Sequence, residues 1–321
     1  MRKKIVVLDD LENSYKKLAD WSKVDAKAEV TIHNQPLYGE ALFKAVKDAQ
    51  AIVLMRDRTP FKADLIQQLP ALEYLVFTGT RNGALDVDAL KERQIPISHT
   101  GWGPSKNSTS ELTWALILGL KKQLVGQNAL INQNKWRNEL SLLPVLQGQT
   151  LGLVGLGEIG QRVAKVALAF GMNVVTWSPN MTPARAEAIG AQSVSLDELL
   201  QQSDIVSLHI IASSTTKGLI NKEKLALMKK DAILINTSRA VLVETDALVD
   251  SLNQGRIGGA AVDVFDIEPL PADHPLRKTP NTLLTPHLGF VAEPVFTTFA
   301  KDVVECLEAW LHGQPTIRPL L

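Results

Sequence analysis

Residues 151–164 read LGLVGLGEIGQRVA, and this stretch decides the fold of the middle of the chain. The apolar run LGLV predicts a strand, and a helical pattern begins after Gly155-x-Gly157-x-x-Gly160. In such a turn the first glycine permits the tight bend, the second lets a pyrophosphate approach the backbone, and the third lets the helix pack on the strand. The helix N-terminus offers free N–H groups to the anion. The stretch predicts a dinucleotide-binding turn, and a ligand-free strand–helix turn is the alternative.

Glu158 and Ile159, which lie within this turn, belong to the predicted cofactor-binding residues. Whether the dinucleotide is NAD or NADP depends on residues farther along the chain. An acidic residue that holds the ribose 2′-hydroxyl of NAD is expected about 20 positions after the glycines. Ser178 stands at that place, and no carboxylate follows until Glu187. Serine can bond the ribose without repelling a 2′-phosphate, and Arg185 is near enough in sequence to meet such a phosphate if the loop folds back. The sequence therefore leaves NAD and NADP open.

The composition is that of a globular protein with no charge bias. A chain of 321 residues suggests two domains. The 34 basic residues balance 34 acidic ones, which argues against binding to nucleic acid or to an anionic membrane. The single cysteine, Cys306, excludes an intramolecular disulfide, and its apolar neighbours predict a core position. With no secretory leader and no apolar helix that spans a bilayer, we expect a cytoplasmic protein.

Strand and helix patterns alternate in two segments of the chain. The first hundred residues carry the strand candidates KIVVLD, AIVLM, LEYLVFTG and IPISHT, with helical stretches between them. The break GWGP at residues 101–104 precedes a long helix, for which Ser108 or Ser110 could be the cap. The alternation resumes at Thr150, and a last helix closes the chain. This pattern predicts parallel sheets between helical layers, an α/β fold.

Three polar segments that follow one another suggest a reactive site. Ligands of open α/β sheets bind beyond the carboxyl ends of the strands. Arg239 in INTSRA has a planar fork that suits an α-keto carboxylate, although by itself a surface arginine is the better interpretation. His287 in TPHLG can exchange a proton near neutrality, and by itself it is equally well a loop histidine. Glu268 in DVFDIEPLP could bond one ring nitrogen and fix the tautomer. Together the three residues predict an acid/base site.

Seven motifs in order resemble those of the D-isomer-specific 2-hydroxyacid dehydrogenases, the family of phosphoglycerate, glycerate and D-lactate dehydrogenases. They are TGTRNGALD, SELTWALILGL, GLGEIG, INTSRA, DVFDIEPLP, TPHLG and the closing helix, and they extend over nearly the whole length. The resemblance implies two Rossmann-like domains. One is a discontinuous, flavodoxin-like substrate domain of residues 1–101 and 290–321, and the other is an NAD(P)-binding Rossmann domain of residues 102–289. The family is usually dimeric, so a homodimer is expected.

The resemblance also implies the reaction and the roles of individual residues. A hydride moves between NAD(P)H and a small 2-keto acid, while Arg239 binds and polarises the substrate and His287, paired with Glu268, is the acid/base. No metal is expected, because the sequence has no Cys/His cluster with metal spacing. The resemblance also assigns cofactor-binding positions: Asp263 at the nicotinamide carboxamide, Thr237 and Ser238 in a cofactor-facing turn, and His209 near the cofactor. It places Arg81 and Asn82 in the loop whose backbone holds the substrate carboxylate.

The chain departs from the family pattern at several places. LHIIASSTT stands where the family often has prolines, so the loop after His209 is not predicted by the resemblance. Phe290 follows where small residues are common and could shape the substrate pocket. Phosphoglycerate dehydrogenase is a specific alternative that would need cationic groups for the substrate phosphate. An alternative of another class is an NAD(H)-sensing, corepressor-like binding protein, which a panel of 2-keto acids would distinguish from an enzyme.

Overall fold

The computed structural model describes residues 2–137 and 142–320 and contains two compact units. The first unit comprises Met1–Ser105 and Ala292–Leu321, and the second comprises Lys106–Val291. Each unit has a parallel sheet with helices between its strands. The predicted α/β class is therefore confirmed. The assignment of a substrate role to the first unit and a cofactor role to the second stays a prediction.

The elements of the described residues are numbered in chain order. The strands are β1 Lys3–Val7, β2 Ala28–Ile32, β3 Ala51–Leu54, β4 Tyr74–Phe77, β5 Ile97–His99, β6 Thr150–Val154, β7 Asn173–Trp177, β8 Gln192–Ser193, β9 Ile205–Leu208, β10 Ile233–Asn236, β11 Gly259–Val262 and β12 Thr282–Leu284. The helices are α1 Tyr15–Leu18, α2 Ser22–Lys27, α3 Gly39–Val46, α4 Ala63–Gln67, α5 Val87–Glu92, α6 Ser105–Lys121, α7 Leu124–Asn132, α8 Glu158–Ala169, α9 Pro183–Glu187, α10 Leu196–Gln202, α11 Lys222–Leu227, α12 Thr245–Asn253 and α13 Glu293–Leu311.

The sheet of the first unit has the strand order β2-β1-β3-β4-β5, which is the flavodoxin-like order. Its central strands β3 and β4 are wholly buried and rich in aliphatic residues, as expected of a parallel sheet with helices on both faces, while the edge strand β2 is largely exposed or half-buried. Helix α13 completes this unit from the far end of the chain. Ser98 Oγ donates to the carbonyl of Ile317, and the N–H of Gly101 donates to Asp302 Oδ2 at 2.7 Å. Cys306 is fully buried, as predicted for a core residue.

The sheet of the second unit has the order β12-β11-β10-β9-β6-β7-β8. The chain runs outward from β6 to β8 and then returns to β9 on the other side of β6, which is the doubly wound Rossmann arrangement. Val154 of β6 and Leu208 of β9 are register partners. The strand order reverses between these two strands, so ligands are expected beyond their carboxyl ends. The glycine turn and His209 follow directly after them.

Some elements differ from the sequence-based expectation. The helix after residues 101–104 begins at Ser105, so the prediction that Ser108 or Ser110 caps it was wrong. Both serines lie within the first two turns, and Ser110 Oγ donates to the carbonyl of Asn107. Helix α7 was not predicted, because it has no apolar face directed at a core and none of its residues is buried. Within residues 2–137 and 142–320, no helix combines the length and the hydropathy needed to cross a membrane.

Candidate active site

The glycine turn after β6 is shaped by close backbone contacts at two of its glycines. Gly155 has φ +103°, and a Cβ there would lie 2.5 Å from the carbonyl oxygen of His209. A Cβ at Gly160 would lie 2.4 Å from the carbonyl oxygen of Gly155, so only glycine allows this approach of helix α8. At Gly157, in contrast, a Cβ would have no neighbour within 4 Å. The turn is tight where it packs and open at the position expected to face a pyrophosphate.

The N-terminus of α8 leaves its first N–H groups available. The helix has 12 residues, and its N-cap, Gly157, provides no side-chain hydrogen bond. Glu158 would repel an anion, but its carboxylate pairs with Lys106 Nζ. The hydrogen bond from that lysine holds the pKa of the Glu158 carboxyl below its ordinary value. Ile159 packs into the core beneath the sheet. The open space at Gly157 and the uncapped helix therefore fit the diphosphate of NAD(P).

The loop after β7, expected beside the adenosine ribose, contains Ser178 and no acidic residue before α9. The carbonyl of Ser178 accepts the N–H of Met181 at 3.0 Å, which turns the chain back. Arg185 lies on α9, and its Nη1 donates to the carbonyl of Asn180 at 2.9 Å. The loop therefore folds back onto the start of α9.

His209, at the end of β9, is a neutral histidine packed against the glycine turn. Burial lowers the pKa of its imidazole to about 4. Its Nε2 lies 2.9 Å from the hydroxyl of Ser207. The following loop lacks the prolines of the family pattern and is closed by hydroxyl groups instead. The buried Thr216 Oγ1 accepts the N–H of Ser213 at 2.8 Å and donates to the carbonyl of Ile211 at 3.0 Å.

A side-chain amide holds the turn that presents Arg239. Asn236 Oδ1 accepts the N–H of Ser238 at 3.1 Å, and Asn236 Nδ2 donates to the carbonyl of Arg239 at 3.0 Å. Ser238 Oγ donates to a carbonyl of the loop after β9, while Thr237 Oγ1 lies 3.0 Å from Thr113 Oγ1. These bonds use the hydroxyls of both predicted cofactor-facing residues to fix the turn. The role of Asn236 was missed, although an asparagine at a strand end three residues before an arginine is a recognisable turn signal.

Asp263 organises the loop that carries His287. Its carboxylate accepts hydrogen bonds from Thr285 Oγ1 at 2.6 Å, from the N–H of Leu288 at 2.7 Å and from the N–H of Gly289 at 2.9 Å. Burial raises the pKa of Asp263, while these hydrogen bonds act in the opposite direction. On the other side, Thr109 Oγ1 donates to the carbonyl of Gly289 at 2.8 Å. The family resemblance assigns Asp263 to the cofactor site, and its role as the hydrogen-bond acceptor that fixes the loop of His287 was not predicted.

His287 and Glu268 form the predicted pair. His287 Nδ1 donates to Glu268 Oε2 at 2.7 Å, and Glu268 Oε1 accepts the N–H of Phe265 at 2.9 Å. Burial acts to raise the pKa of Glu268, but the bonds from His287 and Phe265 and the charge of Arg239 outweigh it and the pKa is lowered. The carboxylate is therefore ionised near neutrality, and the proton stays on Nδ1. Phe290 meets the imidazole edge to face at 5.5 Å between ring centroids.

The predicted substrate loop lies in the first unit, after β4. Among the described residues, the N–H groups of Thr80, Arg81 and Asn82 have no protein acceptor, while the N–H groups of Gly79 and Gly83 on either side are bonded to side chains. Asn82 Nδ2 is a further buried donor without an acceptor in the described ranges. Consecutive free N–H groups of this kind suit an anion such as a carboxylate.

The comparisons with known proteins agree with this arrangement. The family model for the D-isomer specific 2-hydroxyacid dehydrogenase NAD binding domain matches residues 114–289. A glyoxylate reductase of Aeropyrum pernix is 35% identical over 87% of this chain and 85% of that protein. A hydroxypyruvate reductase of Blautia hydrogenotrophica is 30% identical over 97% and 98%. The solved structure of a phosphoglycerate oxidoreductase from Vibrio cholerae superposes with a TM-score of 0.90 at 33% identity, covering 98% of this chain and 100% of that one.

Proposed function

Because the chain belongs to the D-isomer-specific 2-hydroxyacid dehydrogenase family and is an NAD(P)-dependent oxidoreductase, we propose that it reduces small, unphosphorylated 2-keto acids to D-2-hydroxy acids. The observation that carries this proposal is the His287–Glu268 pair, with 2.7 Å between Nδ1 and Oε2, on a loop fixed by Asp263.

The pair determines which ring nitrogen of His287 does the chemistry. Nδ1 is engaged by the ionised Glu268, so Nε2 is the nitrogen that gives a proton to the carbonyl oxygen as negative charge develops there. When bound, NAD(P)H supplies the hydride. In the oxidative direction Nε2 takes the proton from the substrate hydroxyl. Glu268 keeps its negative charge throughout and stabilises the imidazolium that alternates with the neutral ring.

Two groups are proposed to bind the substrate carboxylate and carbonyl. Arg239 lies in a turn whose backbone is fixed by Asn236 at the end of β10, and its planar guanidinium, which donates from Nη1 to the carbonyl of Ser238 at 2.7 Å, suits a planar keto acid. The N–H groups of Thr80, Arg81 and Asn82 would take the carboxylate. Asp263 is proposed to meet the nicotinamide carboxamide, with Thr237, Ser238 and His209 lining the cofactor site.

The ion pairs of two arginines in the first unit favour an unphosphorylated substrate. The two arginines after β3 are already in ion pairs, Arg56 with Asp57 and Arg58 with Glu12, at 2.8 and 2.7 Å. A phosphate would have to compete with these carboxylates for the guanidinium groups. The names of two relatives, glyoxylate reductase and hydroxypyruvate reductase, indicate small keto acids of this type. Phosphoglycerate is therefore the weaker candidate.

The cofactor site is proposed to accept NADPH as well as NADH. Ser178 places no negative charge near a 2′-phosphate, and Arg185 is held by Asn180 close to the same loop. An arginine can take a phosphate bidentately, which compensates for the loss of the aspartate that would hold the NAD ribose.

The decisive experiment measures loss of NADH or NADPH absorbance with glyoxylate, hydroxypyruvate, pyruvate and bulkier 2-keto acids. In the oxidative direction it measures the gain of absorbance from NAD⁺ or NADP⁺ with D-3-phosphoglycerate. We expect turnover with one or more of the unphosphorylated acids. Turnover restricted to phosphoglycerate would overturn the substrate assignment. Binding of NADH without turnover of any acid would favour a cofactor-sensing protein.

We further propose that the protein is a homodimer that pairs through α7. This helix carries no charged residue, and its apolar side chains are exposed, with Leu124 at 55%, Val125 at 64% and Ile131 at 50%. In an isologous interface the same surface of two copies meets, so charged residues of one sign would face each other and repel. A helix that is apolar and uncharged, such as α7, therefore suits such an interface. We expect light scattering to show a dimer that becomes monomeric in Val125→Lys. Tyr38→Lys, at an equally exposed apolar side chain of the first unit, is the matched control.

A further inference from the structure

The residues after β3, β4 and β5 in the first unit form a connected cluster. The guanidinium of Arg56 lies over the ring of Trp102, 4.4 Å from the ring centroid, and its Nε and Nη2 both donate to Asp57 Oδ2. Trp102 Nε1 donates to Thr80 Oγ1 at 3.0 Å. Arg56, Asp57 and Trp102 are called the latch below. Each of them comes from a segment at the carboxyl edge of the sheet, where ligands of α/β proteins bind.

Asp57 connects the latch to one end of the substrate loop, residues 80–82. Its Oδ1 accepts the N–H of Gly83 at 2.8 Å, and its own N–H donates to Asn82 Oδ1 at 3.1 Å. The same Asn82 oxygen accepts the N–H of Ala84, so the orientation of the amide group is fixed by two backbone donors. Asp57 itself has φ +58°, an uncommon conformation that aspartate and asparagine tolerate better than most residues.

The other end of the loop is held by Trp102 and by its neighbour Thr100. The N–H of Gly79 donates to Thr100 Oγ1 at 2.8 Å. Gly79 has φ +75°, and a Cβ there would lie 2.7 Å from the indole ring of Trp102, so the glycine allows the ring to lie flat on the chain. With the Thr80 hydroxyl bonded to the indole, both ends of the loop are fixed, while the N–H groups of residues 80–82 and Asn82 Nδ2 have no acceptor among the described residues.

We infer that the Arg56–Asp57–Trp102 latch positions the substrate loop, so that the N–H groups of residues 80–82 converge on the carboxylate of the keto acid before it binds. Asp57 is a positioning residue, since it acts on the loop through Gly83 and Asn82. This inference rests on the proposed function for the identity of the anion. Pre-ordering the loop removes an entropic cost from substrate binding and leaves the chemical step unaltered, because the proton donor and its partner lie elsewhere.

Asp57→Asn is the informative variant. Asparagine tolerates the positive φ, keeps an oxygen for Gly83 and loses the charge that holds Arg56. We expect the KM for the keto acid to rise about 10-fold, as for the loss of one charge-assisted hydrogen bond, with kcat changed less than about 3-fold. Trp102→Phe keeps a ring for Arg56 and loses the bond to Thr80, so a smaller rise of about 2- to 3-fold in KM is expected.

The matched control is Glu12→Gln, which breaks the Arg58–Glu12 ion pair. That pair has a similar exposure, and Arg58 follows the same strand as Asp57, while Glu12 bonds to no residue of the 80–82 loop in the described part of the chain. We expect Glu12→Gln to leave the KM unchanged. Equal KM values for Asp57→Asn and the wild type, an equal rise in Glu12→Gln, or a parallel loss of NAD(P)H affinity measured by fluorescence would overturn the inference.

Hydrogen exchange of the ligand-free protein separates the latch from the proposed function. The amides of Gly83 and Ala84 should exchange about 10-fold faster in Asp57→Asn than in the wild type, and Glu12→Gln should not change them. Faster exchange in a protein that turns over no keto acid would support the latch while refuting the function. Unchanged exchange in an active enzyme would refute the latch alone.

Discussion

The carboxylate of Asp263 accepts the N–H of Gly289 at 2.9 Å, and so a residue at the end of β11 fixes the loop that carries His287. The bond to Gly289 is one of three, and the other two donors, Thr285 and Leu288, bracket the histidine. His287 itself has φ +56°, a conformation that this set of bonds maintains. The backbone around the proposed acid/base, His287, is therefore held by the buried carboxylate of Asp263, whose three hydrogen bonds go to neighbouring residues and not to the imidazole.

The first prediction concerns that carboxylate. Asp263→Asn replaces one acceptor oxygen by a donor and leaves at least one buried N–H or hydroxyl of the loop without an acceptor. We expect the free energy of unfolding to fall by about 1–3 kcal/mol, with a loss of kcat as His287 is displaced. Urea denaturation and steady-state kinetics measure the two effects. Thr285→Val, which removes a single bond, is the milder comparison, and a wild-type kcat in Asp263→Asn would contradict this account.

The second prediction concerns His287. His287→Asn suits the positive φ at this position better than alanine and removes the nitrogen proposed to exchange the proton. We expect kcat to fall by about 100- to 10,000-fold, while the dissociation constant for NADH, measured by fluorescence, stays within about 3-fold. A variant of His312, an exposed histidine at the end of α13, is the control. Near-normal turnover of His287→Asn would refute the role of the imidazole.

The third prediction concerns the choice between NADH and NADPH. Ser178→Asp introduces a carboxylate that can hold a ribose 2′-hydroxyl and repels a 2′-phosphate, so kcat/KM should shift toward NADH by about 10-fold or more. Arg185→Gln should weaken NADPH and leave NADH unaffected. Paired kcat/KM values for the two cofactors test both variants. If Arg185→Gln lowered both values equally, the arginine would have a structural role rather than a phosphate contact.

The fourth prediction concerns His209 and pH. The folded-state pKa of about 4 lies below the ordinary value of 6.5, so the unfolded chain binds the proton more tightly. The stability that this group contributes is present above about pH 6.5 and is lost as the pH falls toward 4. His209→Gln should lack that loss, which we expect to be about 2 kcal/mol because the side chain is partly exposed. Urea denaturation of both proteins at pH 7 and pH 5 measures how the free energy of unfolding changes with pH. An equal change in the two proteins would contradict the assignment.

The sequence was sufficient for features that depend on neighbouring residues. Gly155 and Gly160 are required by close backbone contacts at the turn after β6, so the glycine spacing, together with the strand and helix patterns on either side, identified the turn. The His287–Glu268 bond joins residues 19 positions apart, and the family resemblance predicted the pair that the structure brings to 2.7 Å. The buried strands were clear because buried parallel strands are continuous aliphatic runs, whereas the partly exposed edge strand β2 was not predicted.

Features that depend on distant partners were not predictable. Asp263 binds a loop 22 to 26 residues away, and Asp57 binds one 25 and 26 residues away, so neither sequence neighbourhood shows a partner. Helix α7 has no core-facing stripe, which is the signal that periodicity analysis uses. Ser108 and Ser110 are plausible caps by residue type, but the helix begins earlier at Ser105, and residue type alone cannot reveal where a helix starts.

The return of α13 to the first unit has a consequence for biosynthesis. The ribosome releases residues 106–291 as a continuous segment with all the strands of the second sheet, so this unit can fold as soon as it has emerged. Most of the first unit is synthesised earlier, but it lacks helix α13 until residues 292–321 emerge. The side chains of α13 that become buried in this unit include Phe299, Val303 and Cys306. The unit that is made first is therefore expected to be the unit that matures last.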